Sequence, residues 1–277
     1  MRLGGPVFDK YDSPGEWVRA VRSLGYRAAY CPLGLDAPQD VICAYEHAAE
    51  QADIVIAEVG AWSNPLSPDD DVRKQAVEKC KRSLALADAI GARCCVNIAG
   101  SRGAKWDGPC KEDLTDETFD AIVEVVRDIL DDVQPQRAFY TLETMPCMYP
   151  DSTDAYIDLI RAIDRKQFAV HFDPVNLVCS PRRYFNNGDL IRDFVARLGS
   201  HIRSCHAKDI LLQDRLTVHL DEVRPGQGAL DYSALLREVS HLDKDVPVML
   251  EHLSSADEYK AAAEYIRSVA AATGGSL

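Results

Sequence analysis

Short apolar runs alternate with amphipathic stretches along the whole chain. Stretches with helical character lie near 14–23, 39–51, 68–90, 115–133, 152–164, 184–198, 231–242 and 256–271. Each apolar run is about as long as a buried strand, and the runs are 2–8, 26–32, 53–59, 93–99, 138–144, 168–174, 202–208 and 246–252. The pattern therefore predicts eight strands, each followed by a helix.

This alternation is typical of a closed parallel barrel. The competing architecture, an open doubly wound sheet, normally has a glycine-rich turn after its first strand. Here "GGPVFDKYDS" contains no GxGxxG, and the glycine pair Gly226 and Gly228 lies far downstream. No linker rich in Pro, Ser or Gly divides the chain. The sequence therefore predicts one α/β domain over residues 1–277, a (β/α)8 TIM barrel.

Composition and charge exclude some classes of function. The 277 residues carry 44 acidic and 31 basic side chains, for a formal net charge of −13. Because nucleic-acid binding depends on cationic contacts with phosphates, this balance opposes a nucleic-acid partner. The chain has neither an apolar run of membrane-spanning length nor a signal-peptide pattern at its start. Its nine cysteines form no CxxC pair, so we expect free thiols in a cytoplasmic protein.

Ligand-type residues end the last four predicted strands. Residues alternate between the two faces of a strand, and one parity of these strands leads to Glu143, Asp173, His206 and Glu251. Parallel strands would bring these ends to one mouth of the barrel. The alternative is that each is a polar strand end that meets solvent or caps a helix. Burial of three carboxylates together is costly without a cation, which favours a hard divalent metal ion.

Further polar residues lie near the same strand ends. Lys208 shares the parity of His206, and it can hold a substrate oxygen or pair with Asp209 at the rim. His171 lies one layer below Asp173, where it either orients the ligands or contacts substrate. Glu58 and Asn97 end the third and fourth strands. They can reach substrate hydroxyls or cap the following helices.

The loops add a second group of candidates. Trp62 and Trp106 follow the third and fourth strands, where an indole can stack on a sugar ring or pack within its loop. The two arginines of "SPRRYFNN" form either an anion clamp or an exposed helix start. The connection 209–230 is longer than a usual βα loop and suits a lid. Arg224 is the expected substrate contact within it.

Four stretches give the chain a family resemblance. "TLETM" around Glu143, "HFDPVN" around Asp173, "SCHAKD" around His206 and "MLEH" around Glu251 resemble the xylose-isomerase-like TIM barrel superfamily. Within it they are similar to the sugar (phosphate) isomerase and epimerase branch, which includes D-tagatose 3-epimerase-like enzymes. The resemblance covers essentially the whole chain. It implies that these four residues bind one divalent ion, with Mn²⁺ as the first expectation and Mg²⁺, Co²⁺ or Zn²⁺ as alternatives.

The same resemblance implies that Glu143 and Glu251 are the catalytic acid/base pair. At the position where ketose 3-epimerases commonly carry a substrate-binding histidine, this chain has Asn176, as in some sugar-phosphate relatives. Leu212 stands where those epimerases have a substrate-binding arginine. Barrel epimerases often pair or form tetramers, so a homo-oligomer is compatible with the resemblance.

The predicted function is metal-dependent isomerisation or epimerisation of a small sugar ketose or ketose phosphate, by proton transfer through an enediolate. The same site would also serve a lyase or dehydratase acting on an inosose or a 3-keto-glycoside. A repair endonuclease on this barrel is a further alternative, which the acidic charge and the seven histidines disfavour. A barrel without catalytic activity is the last.

Overall fold

The computed structural model describes residues 1–274 and Leu277. Its main sheet is entirely parallel and has the strand order β3-β2-β1-β11-β8-β7-β6-β5-β4. The strands of this sheet are β1 (Arg2–Gly5), β2 (Ala28–Ala29), β3 (Val55–Ile56), β4 (Glu58–Gly60), β5 (Cys94–Asn97), β6 (Phe139–Glu143), β7 (Phe168–Phe172), β8 (Ile202–Ala207) and β11 (Pro247–Leu250). Two further strands, β9 (Asp209–Leu212) and β10 (Leu220–Val223), form a separate antiparallel pair.

The sheet closes on itself through Ala57, which lies between β3 and β4. The amide of Ala57 donates to Ala29 O at 2.8 Å, and its carbonyl accepts from Cys94 N at 3.3 Å. The two short strands are therefore pieces of one barrel strand, which was predicted as the run 53–59. Counted in this way, the barrel has eight strands and the predicted TIM barrel fold is confirmed.

The helices surround the barrel as α1 (Pro14–Ser23), α2 (Gln39–Gln51), α3 (Asp70–Ile90), α4 (Asp116–Val133), α5 (Thr153–Ile163), α6 (Pro181–Phe185), α7 (Asn187–Leu198), α8 (Tyr232–Ser240) and α9 (Ala256–Ala272). The single helix predicted over 184–198 is two helices. Ser180 caps α6 and Asn186, with φ −126° and ψ 28°, interrupts the helical backbone before α7. Ser255 caps α9, since its hydroxyl oxygen accepts from Glu258 N at 3.3 Å.

Tyr156 fixes the helix layer against two of the strands that lead to the site. It is fully buried on α5, and its hydroxyl lies 2.6 Å from Leu142 O on β6 and 2.9 Å from Ala169 O on β7. Since a buried hydroxyl requires a hydrogen-bond partner, these contacts hold α5 in one register over both strands. Their following ends, which carry Glu143 and Asp173, are thereby held at fixed positions.

The connection 209–230 folds as the hairpin β9–β10 followed by a tight return. Asp209 is buried, and its carboxylate accepts from the amides of Gly226 at 2.9 Å, Gly228 at 3.1 Å and Leu230 at 2.9 Å. A Cβ at Gly228 would lie 2.3 Å from Ile210 O, so only glycine fits there. One buried carboxylate therefore organises the whole return. Within the described residues, no helix combines the length and apolarity needed to cross a membrane.

Candidate metal centre at the mouth of the barrel

The four ligand-type residues at the strand ends converge. Glu143 is the last residue of β6, His206 lies on β8, and Asp173 and Glu251 directly follow β7 and β11. One donor atom from each of the four lies within 4.8 Å of the others. His206 Nδ1 is 3.1 Å from Glu143 Oε1 and 2.8 Å from Glu251 Oε1. The parallel barrel thus brings together four residues that span more than a hundred positions of the sequence.

The donor set fits a divalent ion. Asp173 Oδ2 and Glu251 Oε1 are buried and make no hydrogen bond of acceptable geometry, and the Lys208 ammonium is the cation beside both. Buried carboxylate oxygens normally have hydrogen-bond partners, so these atoms have unused acceptor capacity for a second cation. Three carboxylates and one imidazole are the donors preferred by Mn²⁺ or Mg²⁺, with Zn²⁺ also compatible.

Lys208 lies among the same carboxylates. Its Nζ is 2.6 Å from Glu251 Oε1, 2.8 Å from Asp173 Oδ2 and 3.4 Å from Glu222 Oε2. The side chain is only 2% exposed. Burial lowers the pKa of this ammonium, but the surrounding carboxylates outweigh burial and hold the pKa well above its ordinary value. Lys208 is therefore a buried cation that compensates the acidic cluster.

The carboxylates of the cluster differ in protonation. Burial raises the pKa of Glu143, but the charges of His206 and then Lys208 outweigh it and lower that pKa to about 2. The pKa of Glu251 is also lowered, because the same two charges outweigh its burial. Burial dominates at Asp173 and raises its pKa to about 7, despite Lys208. Glu143 and Glu251 are therefore ionised at neutral pH and able to accept a proton.

A buried carboxylate, that of Glu58, orients the histidine of the cluster. Glu58 Oε1 is 3.1 Å from His206 Nε2, and Glu58 Oε2 is 2.8 Å from His171 Nε2. All three side chains are at most 1% exposed. Burial raises the pKa of Glu58, but His171 and His206 outweigh it and lower the pKa to about 2. Glu58 and His171 thus face each other beneath the cluster, and neither lines the cavity at the mouth.

The remaining predicted substrate contacts lie in three different environments. Asn176 lines the cavity at the mouth, and its Nδ2 donates to Glu143 Oε1 at 3.0 Å. Asn97 does not line that cavity, because its Oδ1 accepts from Ser63 N at 3.1 Å and so fixes the loop after β4. Arg224 Nε pairs with Glu258 Oε2 on α9 at 2.9 Å. Asn176 is thus the only one of these three within the cavity.

A cavity of about 470 Å³ opens over the cluster. This volume suits a small organic ligand. Four aromatic side chains line it, and they are Tyr30, Trp62, Trp106 and Tyr259. Three further polar residues line it that the sequence did not single out, namely Asp107, Glu222 and His252. Glu222 arrives on β10, whereas His252 directly follows Glu251 with a left-handed backbone of φ 57°.

A larger cavity, of about 840 Å³, lies at the opposite end of the barrel. Residues at the starts of strands line it, among them Val55, Phe139 and Ile202. The active sites of TIM barrels lie at the carboxyl-terminal ends of the strands, and the cluster of Glu143, Asp173, His206 and Glu251 lies at that end. The smaller cavity is therefore the candidate active site.

The chain matches the family model described as xylose isomerase-like TIM barrel over residues 18–269. No curated protein matches it in sequence. Three solved structures with low sequence identity share the fold. D-Psicose 3-epimerase from Clostridium cellulolyticum H10, in complex with D-tagatose, is 16% identical at TM-score 0.69, with 97% of this chain and 99% of that chain covered.

The second structure is the probable 3-DHS dehydratase AsbF from Bacillus anthracis, 16% identical at TM-score 0.71, with 97% and 98% covered. The third is endonuclease IV from Thermus thermophilus, 14% identical at TM-score 0.70, with 98% and 100% covered. These proteins carry three different reactions on one architecture. The choice among reactions for this chain therefore depends on its own site residues.

Proposed function

The chain belongs to the xylose isomerase-like TIM barrel family, and we propose that it is a divalent-metal-dependent isomerase or epimerase of a ketose or ketose phosphate. One observation carries the proposal. Two ionised glutamates, Glu143 and Glu251, share a buried four-residue donor set that has the composition of a metal site. Both glutamates line a cavity of small-molecule size.

In this proposal Glu143, Asp173, His206 and Glu251 hold the metal, with Mn²⁺ expected first. When bound, the metal polarises the substrate carbonyl as a Lewis acid and stabilises the negative charge that develops beside it. The protein contributes the fixed positions of the donors. Glu58 holds His206 by its Nε2, so Nδ1 is the nitrogen directed at the carboxylates.

Glu143 and Glu251 are the proposed acid/base pair. A carboxylate with a low pKa accepts the proton of a carbon acid only where that carbon is already activated, and it returns the proton readily. Asn176 holds Glu143 through Oε1, and Lys208 contacts Glu251 through Oε1. Each glutamate is thereby held in place for proton transfer. Removal of the proton by one glutamate and delivery of a proton by the other to the opposite face of the same carbon gives an epimer. Delivery to the neighbouring carbonyl carbon, with transfer of the hydroxyl proton to the former carbonyl oxygen, gives an isomer.

The other reaction classes are less well supported by this chain. A lyase would use the same glutamates, but no feature of the cavity specifically favours expulsion of a leaving group. An endonuclease must bind a polyanion, and the formal charge of −13 opposes this. Isomerisation or epimerisation therefore needs the fewest assumptions about the cavity.

The test is solvent exchange in D₂O with the Mn²⁺-loaded protein and a panel of free and phosphorylated ketoses. We expect deuterium at a carbon next to the carbonyl, together with a new epimer or isomer. Glu143→Gln and Glu251→Gln should each lower exchange by at least about a hundredfold. The proposal is wrong if no ketose exchanges, and an unsaturated product would establish the lyase instead.

A further inference from the structure

The charged and aromatic side chains that line the cavity indicate whether the substrate carries a charged group. We infer, on the basis of the proposed function, that the substrate is an uncharged ketose, without phosphate or carboxylate, whose apolar face packs on Trp62. The sequence left open whether the sugar is phosphorylated. Three independent features of the site decide between the two forms.

The first feature is the acidic character of the wall. The carboxylates that line the cavity are Asp107, Glu143, Glu222 and Glu251, against the two basic residues Lys208 and His252. Glu222 contacts both basic residues, since its Oε2 is 3.4 Å from Lys208 Nζ and its Oε1 is 3.1 Å from His252 Nδ1. Even with a cation on the metal-type residues, Glu222 remains as the partner of Lys208. An anionic group on the substrate would meet these carboxylates at close range.

The second feature is where the arginines point. Phosphate recognition generally uses arginine forks, yet among the residues that the structure describes no arginine lines this cavity. Arg224 is paired with Glu258. Arg183, one of the two arginines considered as an anion clamp, donates to Leu177 O at 2.9 Å, and its neighbour Arg182 is exposed outside the cavity lining.

The third feature concerns the helix N-termini where TIM barrels commonly bind phosphate, after the seventh and eighth strands. Here these are α8 and α9. The α8 terminus is capped by the Asp231 carboxylate, whose Oδ1 accepts from Ala234 N at 2.9 Å. The α9 terminus is capped by Ser255. At each terminus one of the amides that would bind a phosphate is thus already engaged, at α8 by a negative charge that repels a phosphate.

Trp62 supplies a rigid apolar surface beside the metal-type residues. Its ring centroid is 6.3 Å from that of His206. The loop is fixed by Lys79 Nζ, which donates to Trp62 O at 3.0 Å, and by the bond from Ser63 N to Asn97. A Cβ at Gly60 would lie 2.3 Å from the indole Nε1, so the glycine makes room for this ring. A fixed indole gains dispersion and apolar burial from the C–H face of a sugar.

The experiment compares matched probes on the Mn²⁺-loaded protein: D-fructose with D-fructose 6-phosphate, and L-ribulose with L-ribulose 5-phosphate. Binding is measured by calorimetry and proton exchange by NMR in D₂O. We expect the free ketose of at least one pair to bind at least tenfold more tightly than its phosphate. The inference is overturned if neither pair shows this preference, whether because the phosphates bind as tightly as the free ketoses, because they bind more tightly, or because no probe binds.

Variants separate the causes. Trp62→Ala should weaken free-ketose binding at least fivefold, and Trp62→Phe should restore most of it. Glu222→Gln should strengthen phosphate binding at least threefold, whereas Glu264→Gln, an exposed change on α9 outside the cavity, should not. Unchanged phosphate binding in Glu222→Gln contradicts the electrostatic argument. If free ketoses bind preferentially without proton exchange, the proposed reaction fails while the inference on charge stands.

Discussion

Glu58 Oε1 lies 3.1 Å from His206 Nε2, in a region where both side chains are shielded from solvent. The second oxygen of the same carboxylate contacts His171, so one acid orients two imidazoles. A histidine that donates one ring N–H to a carboxylate is held in one tautomer, and its other ring nitrogen becomes a better metal ligand. The contact with Glu58 therefore determines that His206 directs Nδ1 at the carboxylates of the proposed metal site.

Substitution of this carboxylate should weaken metal binding. In Glu58→Gln one of the two imidazoles faces an amide NH₂ instead of an acceptor, so it must change tautomer or lose its hydrogen bond. We expect Mn²⁺ affinity to fall by about 10- to 100-fold, as measured by titration calorimetry. Glu264→Gln serves as the matched control, since it makes the same chemical change at an exposed site. Equal Mn²⁺ affinity in Glu58→Gln and wild type would exclude the positioning role.

Lys208 should matter most for the stability of the metal-free protein. Lys208→Met removes the ammonium that lies within 2.8 Å of both Asp173 and Glu251, and leaves their charges buried without that partner. Loss of one partner of a buried ion pair costs about 3–5 kcal/mol. We therefore expect a lower Tm without metal and a larger Tm increase on addition of Mn²⁺ than in wild type. Equal metal-free Tm values for the two proteins would show that the ammonium is not needed there.

The fold could be predicted from the sequence because its strands and helices have different periods. Strand runs such as 138–144 and helical stretches such as 39–51 differ in the spacing of their apolar residues, and the structure places elements at both. The break at Asn186 was not predicted, although 186–189 reads Asn-Asn-Gly-Asp, a run without apolar residues that is typical of an interruption between helices. The hairpin β9–β10 was also missed, because the buried residues of β9 are consecutive instead of alternating and β10 has no buried residue.

The site was predictable only where parity and strand ends determine it. The positions of Glu143 and Asp173 follow from the alternation along β6 and β7, and the structure brings them together. The placement of Glu222 depends on how the hairpin folds back, which no local pattern specifies. Likewise, whether Glu58 faces substrate or the two histidines depends on side-chain packing across the barrel, which the sequence of β4 alone does not contain.

Asp209 should control the order of the connection 209–230. Its carboxylate accepts four backbone amides, those of Ile210, Gly226, Gly228 and Leu230. Asp209→Ala leaves these amides without their acceptor, so the return of the connection should loosen together with the hairpin that carries Glu222. We expect faster hydrogen exchange at 224–230 and faster proteolysis within 213–219. Unaltered exchange at those amides would indicate that the hairpin is held by other contacts.

Asp88 provides a pH-dependent contribution to stability far from the candidate active site. Its Oδ1 accepts from the amides of Gln136 at 2.9 Å, Arg137 at 2.7 Å and Ala138 at 2.8 Å, so it ties α3 to the start of β6. Partial burial raises the pKa of this carboxyl, but the three amide donors outweigh it and lower the pKa below its ordinary value. The ionised form therefore stabilises the folded state above about pH 4, and this contribution is lost as the pH falls through the folded-state pKa.

Two substitutions of Asp88 separate charge from hydrogen bonding. Asp88→Asn keeps an acceptor oxygen but removes the charge, so its loss of unfolding free energy should be largest near pH 6 and should shrink towards pH 3. Asp88→Ala removes the acceptor itself and should lose about 2 kcal/mol at pH 6, with part of that loss persisting at low pH. Urea unfolding at pH 3, 4, 5 and 6 measures both. A loss in Asp88→Asn that does not vary with pH would mean that the charge of Asp88 does not contribute. The comparison isolates this charge because the Asp88 carboxyl is the one titrating group that the wild type has and the variant lacks.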